Sequence, residues 1–376
     1  MSTHSKKTDT EERLIESQTL EKIQGGGIKV GFSDISPEEI RLFDEWVKSR
    51  GHVRSQKKPD ILIHAAWGIE HLQIPSKFKI SYTEENLYPN FNIDHYAISH
   101  LREDISGRNL YYPYLYRVMD SDIRVSRVSE KDVNRKFAIF IASQDYLGDG
   151  ARLRREFVEY VIKYYKHVDC PGRILHNVDI PELEPRMGAW REGKFKVLPA
   201  YKFNICFENA NSDGYITEKL VDSFMCNTVP IYWGSEGNVA PFPKDAMICA
   251  NDYADFESLL ARIQEVDENK ELYMNMLLAN PLRDSQFLSM IHAKKESLYD
   301  FLDMIANRVH NGKSYGLNEP SIGTNYFDAT TYLSSRISSK FLKRVIKVIP
   351  FTLRRKLRNA YINVRRFLLS SCKVDK

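Results

Sequence analysis

The sequence has few of the residues that build disulfide frameworks and metal centres. Only five cysteines occur in 376 residues, and they are scattered without a CxxC pair. An odd number of isolated cysteines indicates free thiols in a reducing compartment rather than a disulfide scaffold. The ten histidines do not pair with these cysteines at metal-ligand spacing, so the sequence predicts no zinc site.

Long apolar runs and common phosphate-binding loops are also missing. No stretch reaches 18 apolar residues, and the first residues lack the apolar segment of a secretion signal. We therefore expect no membrane-spanning helix and a cytoplasmic location. No GxxxxGK[ST] loop occurs, and Gly148-Asp149-Gly150 is only half of a dinucleotide fingerprint, because Leu153 stands where the third glycine would be.

Positive charge is concentrated at one end of the chain, although the net charge is only +4. Thirteen Lys and Arg residues but a single acid, Asp375, lie between Ser334 and Lys376, a local balance of +12. The rest of the chain is therefore mildly acidic, which argues against a nucleic-acid partner and predicts an anionic partner for the tail.

The pattern of this tail predicts two basic amphipathic helices on either side of Pro350. Helices of this kind lie on anionic membrane surfaces, and the alternative is a helix that docks on the protein body and exposes its charges to water. We predict that residues 333–376 associate with the inner face of the cell membrane. The apolar stripes are Phe341, Leu342, Val345, Ile346 and Ile349, then Leu353, Leu357, Tyr361, Val364 and Leu368.

The most informative stretch is Tyr201–Gly234, which has the pattern of a β-loop-α-β unit. An apolar run at Phe203–Phe207 predicts a buried strand, and the polar residues Glu208–Gly214 predict a loop. Thr217 can cap the following helix, and Val229–Trp233 predicts the next strand. Ligands in open α/β sheets bind at the loop after the first strand of such a unit.

The first turn of this helix carries Glu218 and Lys219, which suggest a ligand that is part sugar and part phosphate. A lysine at a helix N-terminus suits a phosphate, and an ionised carboxylate accepts hydrogen bonds from sugar hydroxyls. The residues alone leave open an ordinary exposed helical turn, in which the helix dipole favours a glutamate.

The pattern FxxCFENxxxxGYxTEKLxDxFxxxTVPIYWG within Tyr201–Gly234 resembles the signature of the α-1,3-fucosyltransferases that use GDP-fucose, glycosyltransferase family 10. The resemblance extends from about Lys79 to Leu282. It implies a GT-B fold, an α/β architecture of two facing Rossmann-like domains with the site in the cleft. It also implies that donor-binding residues include Asn209, Tyr215, Thr217, Glu218 and Lys219.

The N-terminal half begins as an α/β unit and presents two carboxylates after a predicted strand at Phe78–Tyr82. From the residues alone, Glu84 and Glu85 could form a solvated turn. The segment from Tyr82 to Asn92 is similar to the part of the bacterial fucosyltransferases that supplies the catalytic base, and by register the base is Glu85. The adjacent Glu84 leaves open which carboxylate acts.

The C-terminal half opens with a predicted strand at Lys136–Ala142 and a helix from Ala151 to about Tyr165. Three arginines at this helix start oppose the helix dipole, which a bound diphosphate would offset. The resemblance implies that Arg154 binds the donor phosphates, whereas Arg152 and Arg155 fit a solvated basic face.

These observations predict four segments: a flexible arm at 1–27, an acceptor-binding α/β domain at 28–130, a GDP-fucose-binding α/β domain at 131–332, and the basic tail at 333–376. The polar stretch from Arg117 to Lys131 is the predicted linker.

The resemblance implies an inverting transfer of L-fucose from GDP-β-L-fucose to O3 of GlcNAc in an N-acetyllactosamine-like glycan, without a metal or another cofactor. The sequence identifies no acceptor-binding residue. A transferase for another GDP-6-deoxysugar, and a catalytically silent membrane-bound protein that binds glycans or nucleotides, remain alternatives.

Overall fold

The computed structural model describes residues 27–119, 125–145, 148–184 and 190–312. The chain divides into two compact units, Met1–Gly316 and Leu317–Lys376. The predicted arm, apart from its last residue, and the whole predicted tail lie outside the described residues. No helix in the described ranges is long and apolar enough to cross a membrane.

The N-terminal half contains a six-stranded sheet in which all strand pairs are parallel. Its order is β2-β1-β3-β4-β5-β6. The strands are β1 (Lys29–Ser33), β2 (Val53–Arg54), β3 (Ile61–His64), β4 (Phe78–Tyr82), β5 (Tyr96–Ser99) and β6 (Asn109–Tyr111). The prediction of β4 at Phe78–Tyr82 is confirmed, and the apolar run Tyr96-Ala97-Ile98-Ser99, whose pattern also predicts a strand, forms β5. The patterns did not predict β2 and β6, because two or three residues are too short to show strand periodicity.

The run Ser36-Pro37-Glu38-Glu39 predicts a helix start, with a cap, a proline at the first position and then two acids, and the first helix, α1 (Pro37–Ser49), begins there. The Ser36 hydroxyl accepts a hydrogen bond from the Glu39 main chain, and the Glu39 carboxylate accepts one from the Ser36 main chain, a complete capping box. The helix buries Phe43 and Trp46 completely against the sheet. Burial of each such aromatic side chain contributes roughly 2–3 kcal/mol to stability.

The C-terminal half contains a second parallel sheet, so the α/β class with two parallel sheets is confirmed. Its order is β11-β10-β9-β7-β8. The strands are β7 (Lys136–Ile139), β8 (Val168–Asp169), β9 (Tyr201–Ile205), β10 (Val229–Tyr232) and β11 (Ile248–Cys249). Strand β9 ends two residues before the predicted end, so Cys206 and Phe207 follow the strand instead of closing it.

The remaining helices surround the second sheet or connect the two halves. They are α2 (Tyr114–Val118), α3 (Asp149–Tyr164), α4 (Trp190–Val197), α5 (Glu218–Met225), α6 (Phe256–Glu268), α7 (Lys270–Leu278) and α8 (Ser285–His310). The apolar periodicity over 256–279 predicts a helix, and the structure has two there: the extended backbone of Asn269 ends α6, and its side chain caps α7. Part of the predicted linker is structured, because Arg117 lies in α2.

The last described helix, α8, packs against the N-terminal half although it follows the C-terminal sheet in the chain. The Trp46 indole donates a hydrogen bond of 2.8 Å to Asp303, and the Arg50 guanidinium lies 3.1 Å from the same carboxylate. Leu298 and Leu302 of α8 are fully buried in the core that α1 and the first sheet share. The two halves are therefore joined by shared packing as well as by the linker.

Candidate active site

The site forms where the loops after β4 and β9 face each other at the carboxyl ends of the two sheets. Glu85 follows β4. Of the charged groups around its carboxylate, Lys219 at the start of α5 has the largest effect on the pKa, which it lowers. Tyr215 packs edge to face on His100, which follows β5, with 5.5 Å between ring centroids. The structure thus brings together residues from both halves that lie more than 100 positions apart.

Helix α5 begins at the predicted cap. The Thr217 hydroxyl accepts a hydrogen bond from the Lys219 main chain, and the helix starts at Glu218. At the other end Asn227 adopts a left-handed conformation with φ of 54°, which ends the helix. This short helix fixes the main-chain positions of Glu218 and Lys219 at the mouth of the cleft.

A buried carboxylate, that of Glu208, holds the Lys219 side chain in place. Glu208 is 0% exposed, and its Oε2 lies 2.9 Å from Lys219 Nζ. The same carboxylate accepts a hydrogen bond of 2.7 Å from the Thr217 main chain and bonds of 2.9 Å from its hydroxyl. Our sequence reasoning gave Glu208 no role, although a charged residue directly after an apolar strand could have flagged it.

Neighbouring charges favour the ionised forms of both Glu218 and Lys219 at the start of α5. Burial alone would lower the pKa of Lys219, but the carboxylates of Glu208 and Glu218 outweigh it and raise the pKa. Burial would raise the pKa of Glu218, but Lys219 and Lys194 outweigh it and lower the pKa. The helix start therefore offers one fixed cation for an anion and one carboxylate for hydroxyl donors.

Arg154 is the one buried member of the three arginines at the start of α3, with 6% exposure. Its guanidinium donates to Asn209 Oδ1 at 3.0 Å and to the Gln144 carbonyl at 2.6 Å. The structure thus brings into contact Arg154 and Asn209, which were each predicted to bind the donor. Arg152 and Arg155 form exposed ion pairs with glutamates one turn later, as the sequence predicted.

The two neighbouring carboxylates after β4 differ in their contacts. Glu84 forms an ion pair with Arg117 in α2 and also accepts a hydrogen bond from the Tyr82 hydroxyl. The Glu85 carboxylate makes no hydrogen bond or ion pair with any described residue, and burial raises its pKa. A carboxylate without a partner is available to accept a proton, whereas Glu84 is engaged.

Arg102 of the N-terminal half holds the loop that carries Tyr215. Its guanidinium lies 3.1 Å from Asp213 and donates to the carbonyls of Asn238 and Ala240 at 3.1 and 3.0 Å. Gly214 in this loop has φ of 76°, and an added Cβ would lie 2.1 Å from the His100 carbonyl. The two halves therefore meet without room for a side chain at position 214. Sequence reasoning did not single out Arg102, which carries no motif.

Within the described ranges, no group of three or more His, Cys, Asp or Glu side chains is arranged to hold a metal ion. The groups that could receive a ligand are instead the cations Arg154 and Lys219 and the polar side chains of Glu85, Asn209 and Tyr215.

Two family models match the chain. Residues 30–118 match the α-(1,3)-fucosyltransferase FucT N-terminal domain, and residues 135–278 match the C-terminal region of glycosyltransferase family 10 (fucosyltransferase). Together these matches cover both sheets, including Glu85 in the first match and Arg154, Glu208 and Lys219 in the second.

Individual relatives agree with these matches. The chain is 28% identical over 228 residues to the α-(1,3)-fucosyltransferase FucT of Helicobacter pylori, which covers 54% of this chain and 47% of that protein. It is 32% identical over 153 residues to GDP-fucose protein O-fucosyltransferase 3 of Xenopus tropicalis, covering 39% and 32% of the respective chains. The chain thus spans less than half the length of these curated relatives.

Solved structures support the fold. A crystal structure of an α1,3-fucosyltransferase with GDP has a TM-score of 0.59 and 23% identity, covering 78% of this chain and 94% of that one. A crystal structure of an α1,3-fucosyltransferase with GDP-fucose has a TM-score of 0.56, with 79% and 94% covered. At this identity the likeness shows the fold. The family models, which together match more than half of the chain, place it in glycosyltransferase family 10, the fucosyltransferase family.

Proposed function

We propose that this protein transfers L-fucose from GDP-β-L-fucose to a sugar hydroxyl, in a GT-B arrangement with the acceptor on the N-terminal half and the donor on the C-terminal half. The observation that supports the proposal is that the two halves bring side chains of opposite charge to the same site. The unpartnered carboxylate of Glu85 comes from one half, and the fixed cation of Lys219 from the other. An acceptor hydroxyl and a departing diphosphate need these two groups.

In the proposed reaction, Glu85 acts as general base. Its carboxylate takes the proton of the acceptor hydroxyl while that oxygen attacks the anomeric carbon of fucose. The bond between this carbon and the phosphate oxygen breaks, and GDP leaves with the electron pair. A single displacement of this kind inverts the anomeric configuration. The raised pKa of Glu85 makes it a stronger base than an exposed glutamate.

The leaving group concentrates negative charge on its terminal phosphate. Lys219 and Arg154 stabilise that charge as it develops, because both are held in place before the donor binds. Glu218, Asn209 and Tyr215 contact the ribose or the fucose, while Thr217 caps the helix and binds Glu208. In this scheme fixed cations neutralise the diphosphate, and we propose that turnover requires no metal and no other cofactor.

For the acceptor we propose O3 of GlcNAc in an N-acetyllactosamine-like glycan, because a relative named as an α-(1,3)-fucosyltransferase matches 54% of the chain. Several relatives named as protein O-fucosyltransferases match over a shorter region, so a protein acceptor is the second candidate. Another GDP-6-deoxysugar donor is a further alternative. We propose a cytoplasmic enzyme held at the inner membrane face by residues 333–376.

The first experiment measures GDP release from GDP-fucose with N-acetyllactosamine in EDTA, for the wild type and Glu85→Gln. Turnover that survives EDTA and is lost in the variant supports metal-free base catalysis. Transfer by both proteins would contradict the role of Glu85. If the protein binds GDP-fucose but shows no turnover, even with protein acceptors, the result would support the catalytically silent binding protein. A failure to bind GDP-fucose would refute its assignment as the donor.

A further inference from the structure

A small cavity lies between the ends of β7 and β9, beside the proposed donor site. Its volume is about 20 Å³, enough for one water-sized group. Three cationic side chains line it: Arg154 from α3, Lys219 from α5 and Lys194 from α4. Arg154 and Lys219 already belong to the proposed donor site, whereas Lys194 has been assigned no role.

Arg154, which lines the cavity, also carries a buried donor group without an acceptor. The Nε of Arg154 is buried and makes no hydrogen bond, although the other guanidinium nitrogens donate to Asn209, Gln144 and Phe207. A buried N–H group without an acceptor costs stability, and native structures rarely keep one without a reason. An anionic oxygen in the cavity would accept from this group and face all three cations.

Lys194 is buried, with 8% exposure, and its ammonium lies 3.3 Å from Asp222. Arg191, one turn earlier on α4, lies 2.7 Å from the other oxygen of the same carboxylate. The Arg191 contact is the shorter one, and Arg191 does not line the cavity. The positive charge of Lys194 also helps to lower the pKa of Glu218, so it acts at the start of α5.

We propose that this cavity receives one nonbridging oxygen of the donor's diphosphate, and that Lys194 is a third phosphate-binding cation beside Arg154 and Lys219. The inference rests on the proposed function and adds a residue to its donor site. The competing explanation is that the cavity holds a water molecule and that Lys194 only neutralises Asp222.

The matched pair Lys194→Met and Arg191→Met separates these explanations. Each variant removes one cation from Asp222, but only the first removes a cation from the cavity. Titration calorimetry on the full chain in EDTA measures the affinity for GDP and for guanosine, which lacks the diphosphate. We expect Lys194→Met to weaken GDP binding by roughly 10- to 100-fold, the range for a hydrogen bond to a charged group, and to leave guanosine binding unchanged.

Arg191→Met should leave the ratio of GDP affinity to guanosine affinity at the wild-type value. Lys194→Arg, which keeps a cation at this position, should give a ratio close to that of the wild type. Equal ratios for the two methionine variants would overturn the proposal. If Lys194→Met does not fold, Lys194→Gln, which can still donate to Asp222, provides the same comparison. Wild-type protein that binds no GDP would refute the proposed function itself, a result distinct from normal GDP binding with no effect at Lys194.

Discussion

Arg117 holds the carboxylate of Glu84, with Nη2 2.7 Å from Oε2, and leaves the adjacent Glu85 without a partner. Two neighbouring glutamates that look equivalent in the sequence therefore have different environments. The difference comes from α2, which supplies Arg117 to Glu84. It decides which of the two side chains can accept a proton.

We predict opposite outcomes for the two glutamine variants. Glu85→Gln should lower kcat by about 10²- to 10⁴-fold, the usual contribution of a general base, with GDP affinity unchanged. Glu84→Gln should lower the free energy of unfolding by about 3 kcal/mol, because Arg117 loses its buried partner, with a smaller loss of kcat. Steady-state kinetics and denaturant unfolding measure both effects. A larger loss of kcat in Glu84→Gln than in Glu85→Gln would identify Glu84 as the general base.

The pH dependence of activity should reflect the burial of Glu85. Burial raises its pKa above the ordinary value of 4.5, and a base acts only when deprotonated. We therefore expect kcat/KM to fall as the pH decreases through this raised pKa, at a higher pH than an exposed glutamate would give. A pH–rate profile tests this, and an acidic limb at or below pH 4.5 would contradict it.

The same raised pKa makes a prediction about stability. A carboxyl group with a raised pKa in the folded state stabilises the fold only while it is protonated, and this contribution is lost as the pH rises through that pKa. Glu85→Gln removes the cost of a buried charge, so the variant should melt no lower than the wild type at neutral pH. Glu39→Ala, which removes the side-chain acceptor of the α1 capping box, is a control that should melt lower.

Glu208 and Lys219 should behave as a unit. Glu208→Gln leaves the Lys219 ammonium without its carboxylate, and we expect a loss of about 3 kcal/mol in the free energy of unfolding and weaker GDP binding. The double variant Glu208→Gln with Lys219→Met should recover part of the stability but none of the GDP affinity. Additive stability losses in this double-mutant cycle would show that the pair is not coupled.

Arg102 should influence donor binding from the opposite half of the molecule. Arg102→Gln removes the contacts to Asp213, Asn238 and Ala240, so we expect the KM for GDP-fucose to rise about tenfold with a smaller change in kcat. Arg108→Gln is the matched control, because Arg108 also has three hydrogen-bond acceptors, in this case main-chain carbonyls that all lie within the N-terminal half. An equal rise in KM for both variants would indicate a general loss of stability.

The basic tail should bind anionic membranes. Thirteen Lys and Arg residues follow Ser334, and each contributes about 1 kcal/mol near an anionic leaflet. We expect the full chain to sediment with phosphatidylglycerol vesicles at low salt and to be released at high salt. A chain that ends at residue 332 should stay in the supernatant and keep its catalytic activity. Equal sedimentation of both chains would refute membrane association through the tail.

The sequence alone determined the local features. The capping residues Ser36 and Thr217 and the strand Phe78–Tyr82 could be predicted because caps and strands depend on residues near in the chain. The resemblance to the fucosyltransferases singled out Arg154 among the three arginines of α3, and it is the buried one, whereas Arg152 and Arg155 are exposed. These inferences required no knowledge of how the two halves pack.

Only the tertiary structure decided the relationships between distant segments. Glu208 holds Lys219 because the chain ends β9 and turns back before α5, which no periodicity reveals. Arg117 selects Glu85 over Glu84 by pairing across 33 positions, and Arg102 reaches Asp213 across 111. Such contacts are set by shape and by charge compensation in a packed interior. A residue pattern shows which charged groups are present, but the packing of the folded chain determines which of them have an ion-pair partner.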